Sequence, residues 1–126
     1  MRLYQYTRCF EMKTQRLISS YDEVNDIFYG MIEGKKGYLA NYAVDESIFI
    51  NIGDGNYPVS FLISNASNVL DVKKEVLEES NVKIAIGCDD LSLYFNMCIN
   101  NVEIYKDKFK NLYSMPNFSF ILDTNY

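Results

Sequence analysis

Three segments with the alternation of β-strands follow one another within residues 37–64, and only very short turns separate them. Asp45 and Glu46 can form the first turn. The GDGN segment at 53–56 can form the second, because glycine and asparagine tolerate positive φ. Connections this short join antiparallel neighbours, so this stretch predicts an antiparallel sheet. The strands are expected at 38–44, 47–52 and 57–64.

Two other segments carry apolar residues with the 3.6-residue period of an amphipathic helix. In 20–33, Ser20 and Glu23 have the spacing of a capping box, and an apolar stripe follows. In 68–80, Asn68 can cap the helix, and apolar side chains gather on one side. A helix is therefore predicted over each segment. The first stripe consists of Val24, Ile27, Phe28, Met31 and Ile32.

Alternating apolar residues predict five more strands in the rest of the chain. Asn100 and Asn101 can reverse the chain between two of them, because asparagine enters the left-handed region more readily than most residues. The segment 106–116 is compatible with either a short helix or a loop. These strands are expected at 2–10, 82–86, 91–99, 102–105 and 118–122. Residues 1–126 are therefore expected to form one α+β domain, a mostly antiparallel β-sheet with two helices packed on one face.

The chain contains no histidine, and this limits the catalytic chemistry available to it. Its three cysteines, Cys9, Cys88 and Cys98, form neither a disulfide framework nor a zinc motif. Cys88 follows a predicted strand, but a nucleophilic thiol needs a base or a cation beside it. The acidic residues lack the ordered spacing of a calcium loop. We therefore expect no catalytic residues, no metal, no cofactor and no enzyme activity.

The balance of charge is acidic, with 17 Asp and Glu against 12 Lys and Arg, for a formal net charge of -5. Nucleic-acid binding depends on neutralising phosphates, so this balance disfavours it and favours a basic protein partner. No apolar run approaches the roughly 20 residues of a membrane helix, and the N-terminal stretch lacks the apolar segment of a signal peptide. The sequence predicts a cytoplasmic protein, a monomer or a weak homodimer, that binds neither nucleic acid nor membrane.

Several acidic residues fall at the predicted turns. Turn chemistry explains most of them, and an ordinary solvated surface is one interpretation. The turns of a rigid sheet also present charge to a partner, and Tyr42 and Tyr57 flank two of these turns. Because tyrosine offers a large amphipathic area, it is favoured at interfaces. We expect these two tyrosines to anchor a partner and the acids to make its electrostatic contacts. The acids are Asp45, Glu46, Asp54, Asp89 and Asp90.

The central stretch GYLANYAVDESIFINIGDGNYPVSFLIS, followed by NVLDVKKEVLEES, resembles the organisation of small bacterial immunity proteins. These neutralise polymorphic toxins, including those of contact-dependent growth inhibition. The shared features are a glycine-led strand, a second strand that ends in a glycine turn, a third apolar strand and a helix. The resemblance covers under half of the chain. It implies a protein that binds one cognate toxin domain, typically a nuclease, whose basic cleft an acidic inhibitor can occupy.

Two other functions remain open. The protein can be a structural or assembly component of a phage or secretion system, because the aromatic segments MRLYQY and FSFIL could pair edge to edge in oligomers. It can also be an enzyme that uses carboxylates or a tyrosine, and this requires a deep pocket with converging polar groups.

Overall fold

The computed structural model describes residues 13–37, 42–79 and 81–126. In these residues, nine β-strands form one curled mixed sheet, and two short α-helices accompany it. The predicted class, a mostly β-sheet α+β fold, is confirmed. The strands are β1 (Lys13–Asp22), β2 (Ile27–Ile32), β3 (Tyr42–Ala43), β4 (Ile48–Ile52), β5 (Pro58–Ile63), β6 (Val82–Cys88), β7 (Ser92–Ile99), β8 (Val102–Lys110) and β9 (Phe118–Asp123). The helices are α1 (Ala66–Val69) and α2 (Lys74–Leu77).

Strand β1 joins two halves of the sheet, whose order is β3-β4-β5-β2-β1-β9-β6-β7-β8. Its residues 13–16 pair with β9, and this pairing is parallel. Its residues 17–22 pair antiparallel with β2. We call β3, β4, β5, β2 and residues 17–22 the first half, and residues 13–16 with β9, β6, β7 and β8 the second half.

The two halves curl toward each other and enclose one hydrophobic core. Phe61 of β5 meets Phe95 of β7 across this core in an edge-to-face contact, with ring centroids 5.5 Å apart. Aromatic pairs prefer this geometry. Ala66, Leu70 and Leu77 of the helical segment are also buried in the core. The two helices, which lie between β5 and β6 in the chain, therefore cover part of the core.

A seam between the two halves lies near β3. The Tyr113 hydroxyl, in the loop between β8 and β9, donates a 2.6 Å hydrogen bond to the Ala43 carbonyl. The Tyr42 and Tyr113 rings lie 4.9 Å apart, centroid to centroid. These contacts link residues about 70 positions apart in sequence, so they hold the curl of the sheet rather than one local turn.

The predicted helix at 20–33 is wrong. These residues form the end of β1, a turn and β2. Phe28 and Ile32 are buried, while Tyr29 and Met31 between them are exposed, which is the two-residue period of a strand. Phe28 and Ile32 are also four residues apart, so the sequence fits both periods. Pairing with β1 and β5 decides the outcome, because tertiary context overrides local propensity.

The predicted helix at 68–80 is only partly present, as α1 and α2. Asp71 between them has φ of 54°, and Lys73 is extended, so one continuous helix cannot form. The segment 106–110, predicted as helix or loop, instead continues β8. The pairing with β7 determines this strand.

The other strand predictions that fall on described residues agree with the structure. Those at 47–52, 57–64, 82–86, 91–99, 102–105 and 118–122 correspond to β4, β5, β6, β7, β8 and β9. Asn100 and Asn101 turn the chain with positive φ, as expected. The predicted strand at 2–10 and most of the one at 38–44 lie outside the described residues. Within the described ranges, no helix has the length and apolar character needed to cross a membrane.

Candidate protein-binding surface

The outer face of the first half carries two cross-strand rows of residues without charge. Strand register sets these rows, because paired residues point to the same side of a sheet. The first row is Ile18, Met31 and Ser60. The second row is Ser20, Tyr29, Leu62 and Phe49. We call these seven residues the uncharged face.

Large side chains on the uncharged face are open to solvent. Ile18, Tyr29 and Met31 are 44%, 40% and 42% exposed, and Leu62 and Phe49 are half-buried. Interface cores are depleted of charge and enriched in tyrosine, phenylalanine and methionine. A cluster of large apolar side chains on an exposed sheet face also favours association. The uncharged face is therefore a candidate docking surface.

The outer face of the second half is different, because charges lie across it. Lys83 and Asp123 occupy paired positions and form an ion pair of 3.9 Å. Lys106 and Lys108 of β8 are exposed beside Asn96 and Tyr94 of β7. Charged residues of this kind keep a sheet face solvated and discourage association. The two outer faces of one sheet thus differ in charge.

One end of the first half is acidic. The Ser64 N–H donates to the Ser47 carbonyl at 2.8 Å, and the Ala66 N–H donates to the Asp26 carbonyl at 2.9 Å. These bonds gather the β1–β2 turn, the β3–β4 turn and the start of the helical segment at the same end. We call this region the acidic end. Its acidic side chains are Asp22, Glu23, Asp26, Asp45, Glu46, Glu75 and Glu78.

Three glutamates lie close enough at the acidic end to influence one another. A hydrogen bond with Glu23 raises the pKa of Glu78, and the charges of Glu23 and Glu75 add to the effect. The Lys74 ammonium lies nearby, and it donates to the Glu23 backbone carbonyl at 3.1 Å. Three carboxyl groups therefore share this region with the Lys74 ammonium.

Asp26 fixes the arrangement of the acidic end. Its Oδ1 accepts hydrogen bonds from the Tyr21 hydroxyl at 2.6 Å and the Ser67 N–H at 3.0 Å. Its Oδ2 accepts from the Ser67 hydroxyl at 2.7 Å. Partial burial opposes ionisation, but these hydrogen bonds outweigh it and keep the pKa of Asp26 below its usual range. The carboxylate thus ties the β1–β2 turn to α1.

The predicted contact residues of the first half lie in two places. Asp45 and Glu46 are both exposed in the β3–β4 turn, at the acidic end. Asp54 follows β4 at its other end, about 16 Å away for five residues at about 3.3 Å each. Tyr57 lies beside Asp54 and is 40% exposed. Tyr42 is half-buried and packs on Tyr113, so its ring supports the seam.

The other two predicted contact acids belong to the β6–β7 turn of the second half. Asp89 Oδ1 accepts hydrogen bonds from the N–H groups of Leu91 and Ser92, at 2.9 Å and 2.7 Å. Its Oδ2 accepts from the Tyr94 hydroxyl at 3.1 Å. Partial burial raises the pKa of Asp89, and these bonds bring it below its usual range. Asp89 therefore stabilises its own turn, whereas Asp90 is exposed.

The surroundings of Cys88 disfavour its thiolate. The side chain is buried at the end of β6, and burial, with the nearby charges of Asp89 and Asp90, raises the pKa of the thiol to about 11. A reactive cysteine needs a lowered pKa. At neutral pH the Cys88 thiol is therefore protonated.

Sequence reasoning missed the uncharged face. Treating 20–33 as a helix placed Met31 in a buried stripe and left Tyr29 unassigned, although both lie on the outer face of β2. The alternation of Phe28, Gly30 and Ile32 with Tyr29 and Met31 was the available signal. The face also depends on the register of β2 with β5, and local pattern does not encode that register.

Comparisons of the chain with protein-family models, with curated proteins and with solved structures give no match.

Proposed function

We propose that this protein is an immunity protein that binds one cognate toxin domain and neutralises it stoichiometrically. The observation that carries the proposal is the uncharged face beside the acidic end. An apolar docking centre combined with a negative flank suits a partner that has an apolar patch next to basic residues. A nuclease toxin has such a basic region, because its substrate cleft must bind phosphates.

The two surfaces have separate roles in this proposal. The acidic end attracts the basic partner and speeds its association, an effect that salt weakens. The uncharged face supplies the buried centre, where Tyr29 and Met31 act as anchors. Binding energy concentrates in a few such central residues. Asp45 and Glu46 contribute to attraction, while Asp54, Asp89 and Asp90 lie away from the docking centre.

The resemblance of residues 37–80 to the organisation of bacterial immunity proteins supports the same function. In that setting, the protein acts in the cytoplasm, where a nuclease toxin meets its substrate, and it needs neither a cofactor nor catalysis. Inhibition follows from occupying the toxin surface, so one copy of the chain neutralises one copy of the toxin.

The test is co-expression of the full chain with the C-terminal domain of a large secreted protein encoded by a neighbouring gene. We expect a 1:1 complex on size exclusion and loss of the domain's toxicity to the host cells. A toxin domain from an unrelated system serves as the specificity control. Failure of the cognate domain to co-purify, with toxicity unchanged, contradicts the proposal.

The second candidate is a structural or assembly protein, in which the uncharged face packs against another copy of the chain. Its exposed Ile18, Tyr29 and Met31 favour self-association as well as partner binding. Sedimentation velocity of the purified chain distinguishes the two functions. A monomer at all concentrations supports the immunity function. A stable oligomer whose interface buries Met31 supports assembly.

A further inference from the structure

An open cleft of about 1170 Å³ lies at the end of the sheet opposite the acidic end. It is formed where the starts of β1, β5 and β9 meet the segment that follows β2. The uncharged face and the acidic end do not include it, so the proposed function leaves this cleft unexplained. Small-molecule sites are concave and typically enclose about 300–1,000 Å³, and this cleft is large enough for one.

One wall of the cleft is aromatic. The Tyr57 ring lies 6.0 Å from the Phe118 ring and 6.1 Å from the Phe120 ring, and the last two rings are 4.8 Å apart. Phe118 is buried, which holds the group rigid, while Tyr57 is 40% exposed. Pro58 and Val59, which are both buried, also line the cleft. A flat apolar ligand would find ring faces here against which it could stack.

The rim of the cleft is basic, although the whole chain is acidic. Lys13, Lys35 and Lys36 line it, and Asp54 is the one acidic side chain among its described lining residues. All three lysines are exposed. Within the described residues, neither ion pair of the structure involves them. The described rim of the cleft thus carries three lysines beside an aromatic wall.

From this arrangement we infer that the cleft binds a small organic anion with a flat apolar body. The body stacks against Tyr57 and Phe120, and the anionic group lies among the ammonium groups of Lys13, Lys35 and Lys36. Apolar contact and charge attraction then act on different parts of one ligand. This inference does not depend on toxin binding, because the cleft shares no lining residue with the uncharged face or the acidic end.

The test is a fluorescence titration of the folded chain with 8-anilinonaphthalene-1-sulfonate, an anion with a flat aromatic body. We expect saturable binding of one probe per chain. The double variant Lys35→Glu with Lys36→Glu should weaken binding about tenfold, because two attractions become repulsions. Tyr57→Ala should weaken it by a similar factor through loss of the stacking surface. Thermal unfolding of each variant checks that it remains folded.

Matched controls separate the cleft from other surfaces. Lys106→Glu with Lys108→Glu reverses the same two charges on β8 and should change the affinity less than twofold. Met31→Glu on the uncharged face should also leave it unchanged. The neutral probe N-phenyl-1-naphthylamine should bind the wild type and the Lys35, Lys36 variant equally. Loss of sulfonate binding in Met31→Glu, or retention in the Lys35, Lys36 variant, overturns the inference.

Discussion

The ring of Phe61 lies directly over Gly30, so closely that a β-carbon at Gly30 would overlap the ring. The two residues are cross-strand partners of β2 and β5. Phe61 also reaches Phe95 across the core. Glycine at position 30 therefore makes room for the aromatic contact that joins the two halves of the sheet.

Gly30→Ala should destabilise the protein by about 1–3 kcal/mol, because the added methyl group displaces a buried ring and overpacks the core. Urea unfolding followed by circular dichroism measures this loss. Ser20→Ala, on the outer face of the neighbouring strand, should stay within about 0.5 kcal/mol of the wild type. Equal stability of the two variants would contradict the position of Phe61 over Gly30.

Asp26→Ala should lower the free energy of unfolding by about 2 kcal/mol, because it removes a carboxylate that accepts three hydrogen bonds from Tyr21 and Ser67. Asp26→Asn should cost less at neutral pH, since asparagine tolerates the φ of 54° and keeps one acceptor. Glu79→Ala, an exposed change near α2, is the control and should be nearly neutral. Urea unfolding of all three variants makes the comparison.

The contribution of Asp26 depends on pH in a defined direction. Because its pKa is lowered in the folded state from the ordinary value of 3.8, its stabilisation is present above that value and is lost as the pH falls through the folded pKa. The difference in unfolding free energy between wild type and Asp26→Asn should therefore shrink below pH 3.8. A difference that is constant from pH 7 to pH 3 would exclude this role.

Glu78→Gln should raise the melting temperature at pH 7, because it removes a charge that Glu23 and Glu75 repel. The pKa of Glu78 is raised above the ordinary 4.5, chiefly by its hydrogen bond with Glu23. The favourable contribution of Glu78 is complete below pH 4.5 and is lost as the pH rises through the folded pKa. The difference in melting temperature between Glu78→Gln and the wild type should therefore vanish at pH 4. Asp90→Asn removes a charge far from the acidic end. It is the control, and it should not show this rise in melting temperature at pH 7.

The two described cysteines should differ in reactivity. Cys88 is buried with a pKa raised to about 11, whereas Cys98 is half-buried on β7. Because the thiolate is the nucleophile, iodoacetamide at pH 7.5 should label Cys98 well before Cys88 in the folded chain. Peptide mass spectrometry follows each site separately. The burial of Cys88 would be contradicted if both cysteines were labelled at the same rate in the native protein and if urea did not accelerate the labelling of Cys88.

The strands that could be predicted correctly are those marked by their own turn residues and apolar alternation. The strands around the GDGN turn and the Asn100–Asn101 hairpin were predicted because their turn residues favour positive φ and their apolar residues alternate. The β1–β2 hairpin was not, because Phe28 and Ile32 fit both a helix and a strand. Pairing with β1 and β5, such as that of Tyr29 with Leu62, 33 positions away, separates these possibilities.

The candidate site was predictable only in its charges. Asp45 and Glu46 were located as exposed turn residues, and turn chemistry is local. The uncharged face, by contrast, brings Ile18, Met31 and Ser60 side by side through the registers of three strands. Each of these residues is unremarkable in sequence, and the surface exists only once the sheet has formed.

The most direct measurement of the central claim is calorimetric titration of the co-purified toxin domain with two variants of the chain. Met31→Glu places a carboxylate in the uncharged face and should weaken binding at least about thirtyfold, as expected for a central anchor. Lys106→Glu makes the net charge still more negative, but it lies on the other outer face and should change the dissociation constant less than twofold. Unchanged binding by Met31→Glu, or equal losses in both variants, would contradict docking through the uncharged face.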